Sequence, residues 1–202
     1  MSTDHNRLAL LAEFGLRQQQ EDPSLQQLMQ AVADLLDVPT ALVSLIGSDL
    51  QFFKARVGLD AATTRREDAF CDHVVASDEA MVIEDTLSDP RFCQNPLVTG
   101  EPHIRFYAGV PLRLKQQTVG TVCVIDRQPR HLTQSQLTVL HNVSAHITNY
   151  LTLLREHQHL QQEHSLLDNS PAVLMKWRHY RGLQLKYVSA NIDALFGLPL
   201  QA

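Results

Sequence analysis

Apolar and polar residues alternate between residues 104 and 114, and this alternation predicts a β-strand with one buried face. Successive side chains of a strand point to opposite faces, so the even-numbered positions form an apolar face directed at a core. The odd-numbered positions, which include Arg105 and Tyr107, predict a more polar face. Gly109 and Pro111 fall inside the same strand, where they suggest a bulge or a close approach of the backbone.

The strand pattern continues on both sides of this segment. A polar turn at Lys115–Gln117 leads to Val119–Ile125, which is apolar on both faces and therefore suits the centre of a sheet. Further strands are predicted at Thr40–Ile46, Leu50–Val57 and Met81–Ile83. Helical periodicity predicts helices at Arg7–Leu16 and from Ser24 to Pro39. Capping-box spacing occurs at Ser24 and Gln27, at Thr64 and Glu67, and at Thr133 and Gln136.

Residues Glu84–Pro102 predict a long irregular loop, because prolines recur along it. Phe92, Leu97 and Val98 give this loop apolar side chains. We therefore expect it to pack against the domain as a lid. Asp85 and Asp89 are expected to form turns in this loop. Arg91 and Arg105 are expected to anchor the loop to the strand through carboxylate pairs.

Composition excludes several classes of function. The 202 residues include 17 basic and 22 acidic side chains, giving a net charge of −5, so neutralisation of nucleic-acid phosphates is not expected. We find no apolar run long enough to span a membrane and no signal peptide, which predicts a cytoplasmic protein without membrane contact. Three cysteines do not make a disulfide framework and predict reduced thiols.

The cysteines and histidines carry the remaining candidate chemistry. Cys71 and His73 are two residues apart on a predicted helix and do not share a face, so a metal site is not predicted. Cys71 lies in the first turns of that helix, where the dipole favours a thiolate. Cys93 lies on the long loop and is the second candidate nucleophile.

The helix that begins after Thr133 is predicted to be long. Its apolar residues follow three-four spacing up to Leu154, which favours packing first on the sheet and then on a partner helix. We therefore expect a homodimer that forms through the N- and C-terminal helices. The Asn169–Pro171 segment ends the helix, and strands are predicted near Val173–Trp177 and Leu183–Val188.

Four segments in order carry a family resemblance, and they read PTALVSLIGSDLQFFKARVGL, RREDAFCDHVV, VIEDTLSDPRFCQNPLVTGEPHIRFYAGVPL and GTVCVIDRQPRHLTQSQ. Residues 7–154 resemble a GAF domain of bacterial signalling proteins. The resemblance implies an α+β fold, similar to the PAS fold, with a twisted antiparallel sheet, helices on one face and a loop-lined pocket on the other. The segments DNSPAVLMKW and LKYVSANIDALFGLP resemble the start of a PAS domain.

These resemblances predict an N-terminal helix at residues 1–22, a GAF domain at 23–154, a linker helix at 155–168 and a truncated PAS segment at 169–202. We expect the pocket between the predicted Phe70–His73 helix, the loop and one face of the sheet. Its candidate ligand-binding residues are Phe70, Cys71, His73, Asp85, Arg91, Phe92, Arg105 and Tyr107. Binding there is expected to shift the junction Asp126–Thr133 and reorient the long helices.

The family resemblance implies a sensory or regulatory module without catalytic activity, whose ligand or cofactor is unknown. Members are inputs to diguanylate cyclases, cyclic-di-GMP phosphodiesterases or histidine kinases, and cyclic-di-GMP turnover is the expected pathway. One alternative is a GAF-type free methionine sulfoxide reductase that uses Cys71 and Cys93, although the family's further cysteine is missing from Gly58–Arg66. Another alternative is a dimerisation module with a collapsed pocket.

Overall fold

The structure, a computed structural model, describes residues 3–16, 21–168, 175–179 and 183–188. The chain divides into two compact units, residues 1–152 and 153–202. The helices of the first unit are α1 (Thr3–Glu13), α2 (Pro23–Leu36), α3 (Phe70–Ser77), α4 (Pro96–Thr99) and α5 (Gln134–Asp168), the last of which continues into the second unit. Its strands are β1 (Thr40–Ile46), β2 (Leu50–Val57), β3 (Thr63–Arg65), β4 (Met81–Ile83), β5 (Phe106–Leu114) and β6 (Gln117–Asp126).

The six strands form one sheet in the order β3-β2-β1-β6-β5-β4, and every neighbouring pair is antiparallel. The predicted α+β class and antiparallel sheet are confirmed. β1 and β6 occupy the centre, as their uninterrupted apolar sequences predict. The predicted bounds of β1, β2 and β4 agree with the observed ones.

One face of the sheet carries the main hydrophobic core. Leu11 of α1, Met29 of α2 and Leu140 of α5 pack there with the even-numbered residues of β5, such as Val110. This arrangement confirms the apolar face predicted for β5. The apolar residues of α5 therefore pack on the sheet of the same domain as far as Leu151.

The opposite face of the sheet carries a second apolar cluster, which corrects the prediction of a polar face. Tyr107 is fully buried there with Phe70, Phe92 and Cys123. This face is buried because α3 and the segment after β4 pack over it. A Cβ at Gly109 would overlap the Tyr107 ring, so a side chain, not the backbone, makes the close approach at this glycine. The bulge in the β5–β6 pairing lies further on, between Leu112 and Arg113.

The predicted capping box forms in one of three cases. Thr133 and Gln136 form a reciprocal capping box at the start of α5. The capping box predicted at Ser24 is wrong, because the Asp22 side chain caps α2. The one predicted at Thr64 is also wrong, since Thr63–Arg65 pairs with β2 as strand β3. A 3₁₀ turn, Arg66–Asp68, then precedes α3.

The second unit contains a hairpin of β7 (Met175–His179) and β8 (Leu183–Val188). The predicted bounds of β8 agree with the observed strand. Most of the predicted PAS segment lies outside the described residues. None of the helices in the described ranges is long and apolar enough to cross a membrane.

Candidate functional site

Three aromatic side chains from separate elements stack on the second face of the sheet. Phe70 of α3 lies between Phe92 of the loop, with ring centres 4.3 Å apart, and Tyr107 of β5, with ring centres 5.1 Å apart. His73 contacts Phe92 edge-on at 4.7 Å, and the Arg91 guanidinium lies 5.2 Å from the centre of the same ring. The stack fixes α3 and the loop against the sheet.

The long loop is packed down as predicted. Phe92 and Val98 are buried, and α4 begins with Asn95 as its cap. Arg105 holds the loop by donating to the Val98 carbonyl at 3.1 Å, so its anchoring partner is a backbone oxygen and not the expected carboxylate. Arg91 pairs with Asp89 of the same loop, also not with the strand.

The carboxylates of the loop form turns, as expected. Asp85 accepts from the Leu87 amide at 3.1 Å and Asp89 accepts from the Arg91 amide at 3.0 Å. The hydrogen bond from the Arg91 side chain lowers the pKa of Asp89. These contacts give Asp85, Asp89 and Arg91 structural roles within the loop.

A small cavity of about 60 Å³ lies beside the aromatic stack. It is lined by Thr40, Leu42, Gln51, Phe53, Gly58, Leu59, Thr64, Phe70, Cys71, Leu97, Pro102, Ile104, Tyr107, Ile125, Asp126 and Arg127. Its walls are mainly apolar, with a few polar groups at Gln51, Thr64 and the end of β6. The cavity is well below the roughly 300 Å³ at which pockets for drug-sized ligands begin.

The cavity includes only some of the predicted site residues. Phe70, Cys71 and Tyr107 belong to its wall. His73 and Phe92 belong to the aromatic group beside it but not to the wall. Asp85, Arg91 and Arg105 are also outside the wall and act in the loop contacts described above.

Polar groups converge on the sulfur of Cys71, one of the residues that line the cavity. The Thr121 hydroxyl donates at 3.0 Å, and the Tyr107 hydroxyl and the Gln51 amide each donate at 3.4 Å. The sulfur of Cys123 lies 3.7 Å away. Gln51 also donates to the Ser44 hydroxyl at 2.7 Å, which fixes the orientation of its amide.

These donors shift the pKa values of the two thiols in opposite directions. Burial raises the pKa of Cys71, but hydrogen bonds from Cys123, Thr121 and Tyr107 outweigh it and lower the pKa to about 6. The hydrogen bond to Cys71, together with burial, raises the pKa of Cys123. Burial likewise raises the pKa of Tyr107, which therefore remains a donor. The hydrogen bonds therefore favour the thiolate form at Cys71 over Cys123.

Sequence reasoning missed three of these neighbours, Gln51, Thr121 and Cys123. The signal that could have found two of them is the two-residue period of β6. Thr121 and Cys123 pair with Pro111 and Gly109, so they share a face with Tyr107. The apolar character of both faces of β6 concealed this arrangement.

Cys93, the other candidate nucleophile, has a different setting. It is half-buried on the loop, and its sulfur lies 3.9 Å from the Pro90 carbonyl. The thiol that contacts Cys71 belongs to Cys123. Among the residues that the structure describes, no group of three or more His, Cys, Asp and Glu side chains could hold a metal ion.

Comparisons with known proteins agree with this architecture. Over 128 residues, 63% of the chain, the sequence is 38% identical to the cyclic di-GMP phosphodiesterase PA2567 of Pseudomonas aeruginosa. The chain spans 22% of the length of that relative. Two solved structures have a TM-score of 0.58 at 12% identity.

The first of these structures is the GAF domain of a phosphoenolpyruvate-protein phosphotransferase from Coxiella burnetii, with 78% of this chain and 99% of that chain covered. The second is the free methionine-R-sulfoxide reductase of Neisseria meningitidis in complex with its substrate, with 77% and 89% covered. Both show the same fold. Residues 21–151 match the GAF domain family, and the chain therefore belongs to that family.

Proposed function

We propose that this chain is the sensory, non-catalytic GAF module of a larger protein in cyclic-di-GMP signalling. The observation that carries the proposal is the 38% identity to part of a protein named a cyclic-di-GMP phosphodiesterase. The shared region is 22% of that relative, so the phosphodiesterase activity itself belongs to a protein with much additional sequence. The module would regulate such an output.

The ligand of the module is a small molecule that enters the cavity beside Cys71. Apolar walls and a volume of about 60 Å³ favour a compact, largely apolar compound with one or two hydrogen-bonding groups. Gln51 and Thr64 would meet those groups. A cyclic dinucleotide has two bases and two phosphates and is far too large for this volume, so cyclic di-GMP is not the proposed ligand.

The end of β6 supplies a route from the cavity to α5. Asp126 and Arg127 line the cavity. Asp126 pairs with Arg130, and the Arg130 amide donates to the Glu84 carbonyl at 3.1 Å. A ligand that displaces Asp126 or Arg127 would therefore move the Asp126–Thr133 junction that precedes α5.

The module acts as a cytoplasmic homodimer in this proposal. Leu153 and Leu160 of α5 are 65% and 56% exposed and are seven residues apart, which places them on one helix face as in a coiled coil. The three cysteines are free, in keeping with a reducing compartment. The N-terminal helix would also contribute to the dimer, and the segment after residue 168 would begin a PAS domain.

A thermal-shift screen with a variant that fills the cavity tests the ligand proposal. A panel of small metabolites and nucleotides is added to the chain, and compounds that raise the melting temperature are titrated. Ile125→Phe places a ring in the cavity wall, whereas Val82→Phe adds the same ring at the exposed position of strand β4. Binding should weaken at least tenfold in Ile125→Phe and persist in Val82→Phe. Equal binding by both variants would place the ligand elsewhere.

The pathway is tested separately, with the full-length protein that contains this chain. Cyclic-di-GMP synthesis and hydrolysis are measured in the wild type and in Ile125→Phe. A change of rate that requires an intact cavity supports regulation of cyclic-di-GMP turnover. Autophosphorylation without cyclic-di-GMP turnover would instead favour the alternative output, a sensor histidine kinase.

A further inference from the structure

Two free thiols face each other inside the second apolar cluster. Cys71 of α3 and Cys123 of β6 have their sulfur atoms 3.7 Å apart, although 52 residues separate them in the sequence. A disulfide requires a sulfur–sulfur distance of about 2.0 Å, so a shift of about 1.7 Å would join them. The proposed ligand of the cavity makes no use of this pair.

We propose that Cys71 and Cys123 form a reversible oxidation site, in which a hydroperoxide converts the two thiols to an intramolecular disulfide. Cys71 is the attacking thiol and Cys123 the resolving thiol. The geometry assigns these roles, because Thr121, Tyr107 and Gln51 direct three donors at the Cys71 sulfur. Donors of this kind stabilise a thiolate, which is the nucleophilic form of cysteine.

A small oxidant would reach the Cys71 sulfur through the cavity. Cys71 lines the cavity of about 60 Å³, and the same wall includes Arg127, whose side chain is 67% exposed. Hydrogen peroxide has two oxygen atoms and is about the size of two water molecules, each of which needs roughly 10–15 Å³ of cavity volume. The cavity therefore has room for a peroxide beside Cys71.

The chemistry balances with the peroxide as the sole oxidant. The Cys71 thiolate attacks one peroxide oxygen, the O–O bond breaks, and Cys71 sulfenic acid and hydroxide form. Hydroxide takes the proton released when the Cys71 thiol ionised. The Cys123 thiol then attacks the sulfenic sulfur, the S–O bond breaks, and the disulfide and water form. Overall, two thiols and one hydrogen peroxide give one disulfide and two water molecules.

Closing the disulfide would move α3, which connects the site to two other regions. Phe70 precedes Cys71 and stacks on Phe92, so the loop would follow. Asp72 accepts from Arg66 at 2.8 Å, and Arg66 also donates to Asp4 of α1 at 2.8 Å. Oxidation would thus alter the contact between α3 and the N-terminal helix.

Thiol counting on the unmodified 202-residue chain tests the proposal without relying on a variant. The chain is treated with hydrogen peroxide, denatured, alkylated and measured by intact mass and peptide mapping. We expect two of the three thiols to be lost, a mass 2 Da lower before alkylation, and a Cys71–Cys123 cross-link that dithiothreitol reverses. A cross-link that includes Cys93, or oxidation confined to Cys93, would overturn the proposal.

Matched variants separate the two roles. Cys93→Ser should form the disulfide at the wild-type rate. In Cys123→Ser the reaction should stop at a Cys71 sulfenic acid, which dimedone traps once the oxidised chain is denatured, whereas Cys71→Ser should leave Cys123 reduced. Thr121→Val removes one donor and should slow oxidation about tenfold, in line with the strength of hydrogen bonds to charged groups. Oxidation of Cys123 in Cys71→Ser at the wild-type rate would contradict the assignment.

Discussion

The side chain of Tyr107 lies across the backbone of Gly109, so that a Cβ at position 109 would overlap the phenol ring. The ring cannot move away freely, because Phe70 stacks on it and the Tyr107 hydroxyl donates to Cys71. The glycine therefore permits a large aromatic side chain on the cavity side of β5.

Gly109→Ala should destabilise the domain by about 2–3 kcal/mol, as expected for an overpacked core. Urea unfolding measures the loss. Removing the hydroxyl in Tyr107→Phe relieves part of the overlap, so the double variant should be about 1 kcal/mol more stable than the two single effects predict. Strict additivity would show that the ring is not what limits position 109.

Phe92 is the contact through which the long loop is held to α3. Phe92→Ala removes the 4.3 Å stack on Phe70 and leaves a cavity in the second apolar cluster. The substitution should therefore lower the free energy of unfolding by about 3–5 kcal/mol. Leu87→Ala is the matched control, because Leu87 is on the same loop but 51% exposed, and it should change stability by less than about 0.5 kcal/mol. Equal losses for the two variants would mean that the loop packs differently.

Asp4 makes the link between α1 and Arg66 dependent on pH. Hydrogen bonds from Arg66 and then Arg7 lower the pKa of Asp4 from 3.8 to about 2 in the folded chain. A lowered folded-state pKa contributes stability that is present above the unfolded value and disappears as pH falls toward the folded value. Asp4→Asn should therefore melt below the wild type near neutral pH, and the difference should vanish between about pH 4 and 2.

Melting temperature recorded from neutral to acidic pH checks this prediction. Glu79→Gln, on the exposed turn after α3, is the control and should show no comparable convergence with the wild type in that window. A difference for Asp4→Asn that persists at pH 2 would point to a cause other than the carboxylate charge.

The exposed leucines of α5 predict a defined effect on association. If Leu153 and Leu160 meet their counterparts in a second copy, replacing both with Glu should raise the dimer dissociation constant at least tenfold, because burying two unpaired charges is costly. Light scattering over a dilution series measures the change. Gln161→Glu adds a charge at a neighbouring exposed position and should leave association within about twofold of the wild type.

The strands were predictable because their signal is local. The two-residue period of β5 and the apolar runs of β1 and β6 survive in the fold with little change. The start of α3 was not predictable in this way, because the spacing of Thr64 and Glu67 imitates a helix cap while Thr63–Arg65 pairs with β2. Tertiary pairing overrides such local signals.

The candidate site was predictable only in outline. Phe70, Cys71 and Tyr107 could be assigned to one pocket through the family resemblance, and they do line one cavity. The contact of Cys71 with Cys123 could not be foreseen, since it depends on how α3 crosses β6 and on which residues of β6 face it. Burial of Tyr107 likewise depends on the covering loop, which no periodicity encodes.

The two edge strands of the sheet, β3 and β4, are each three residues long. Such short edge strands expose few free amide and carbonyl groups in a row, so they are poor templates for strand addition by another chain. The two edge strands therefore disfavour edge-to-edge pairing of this domain into fibrils.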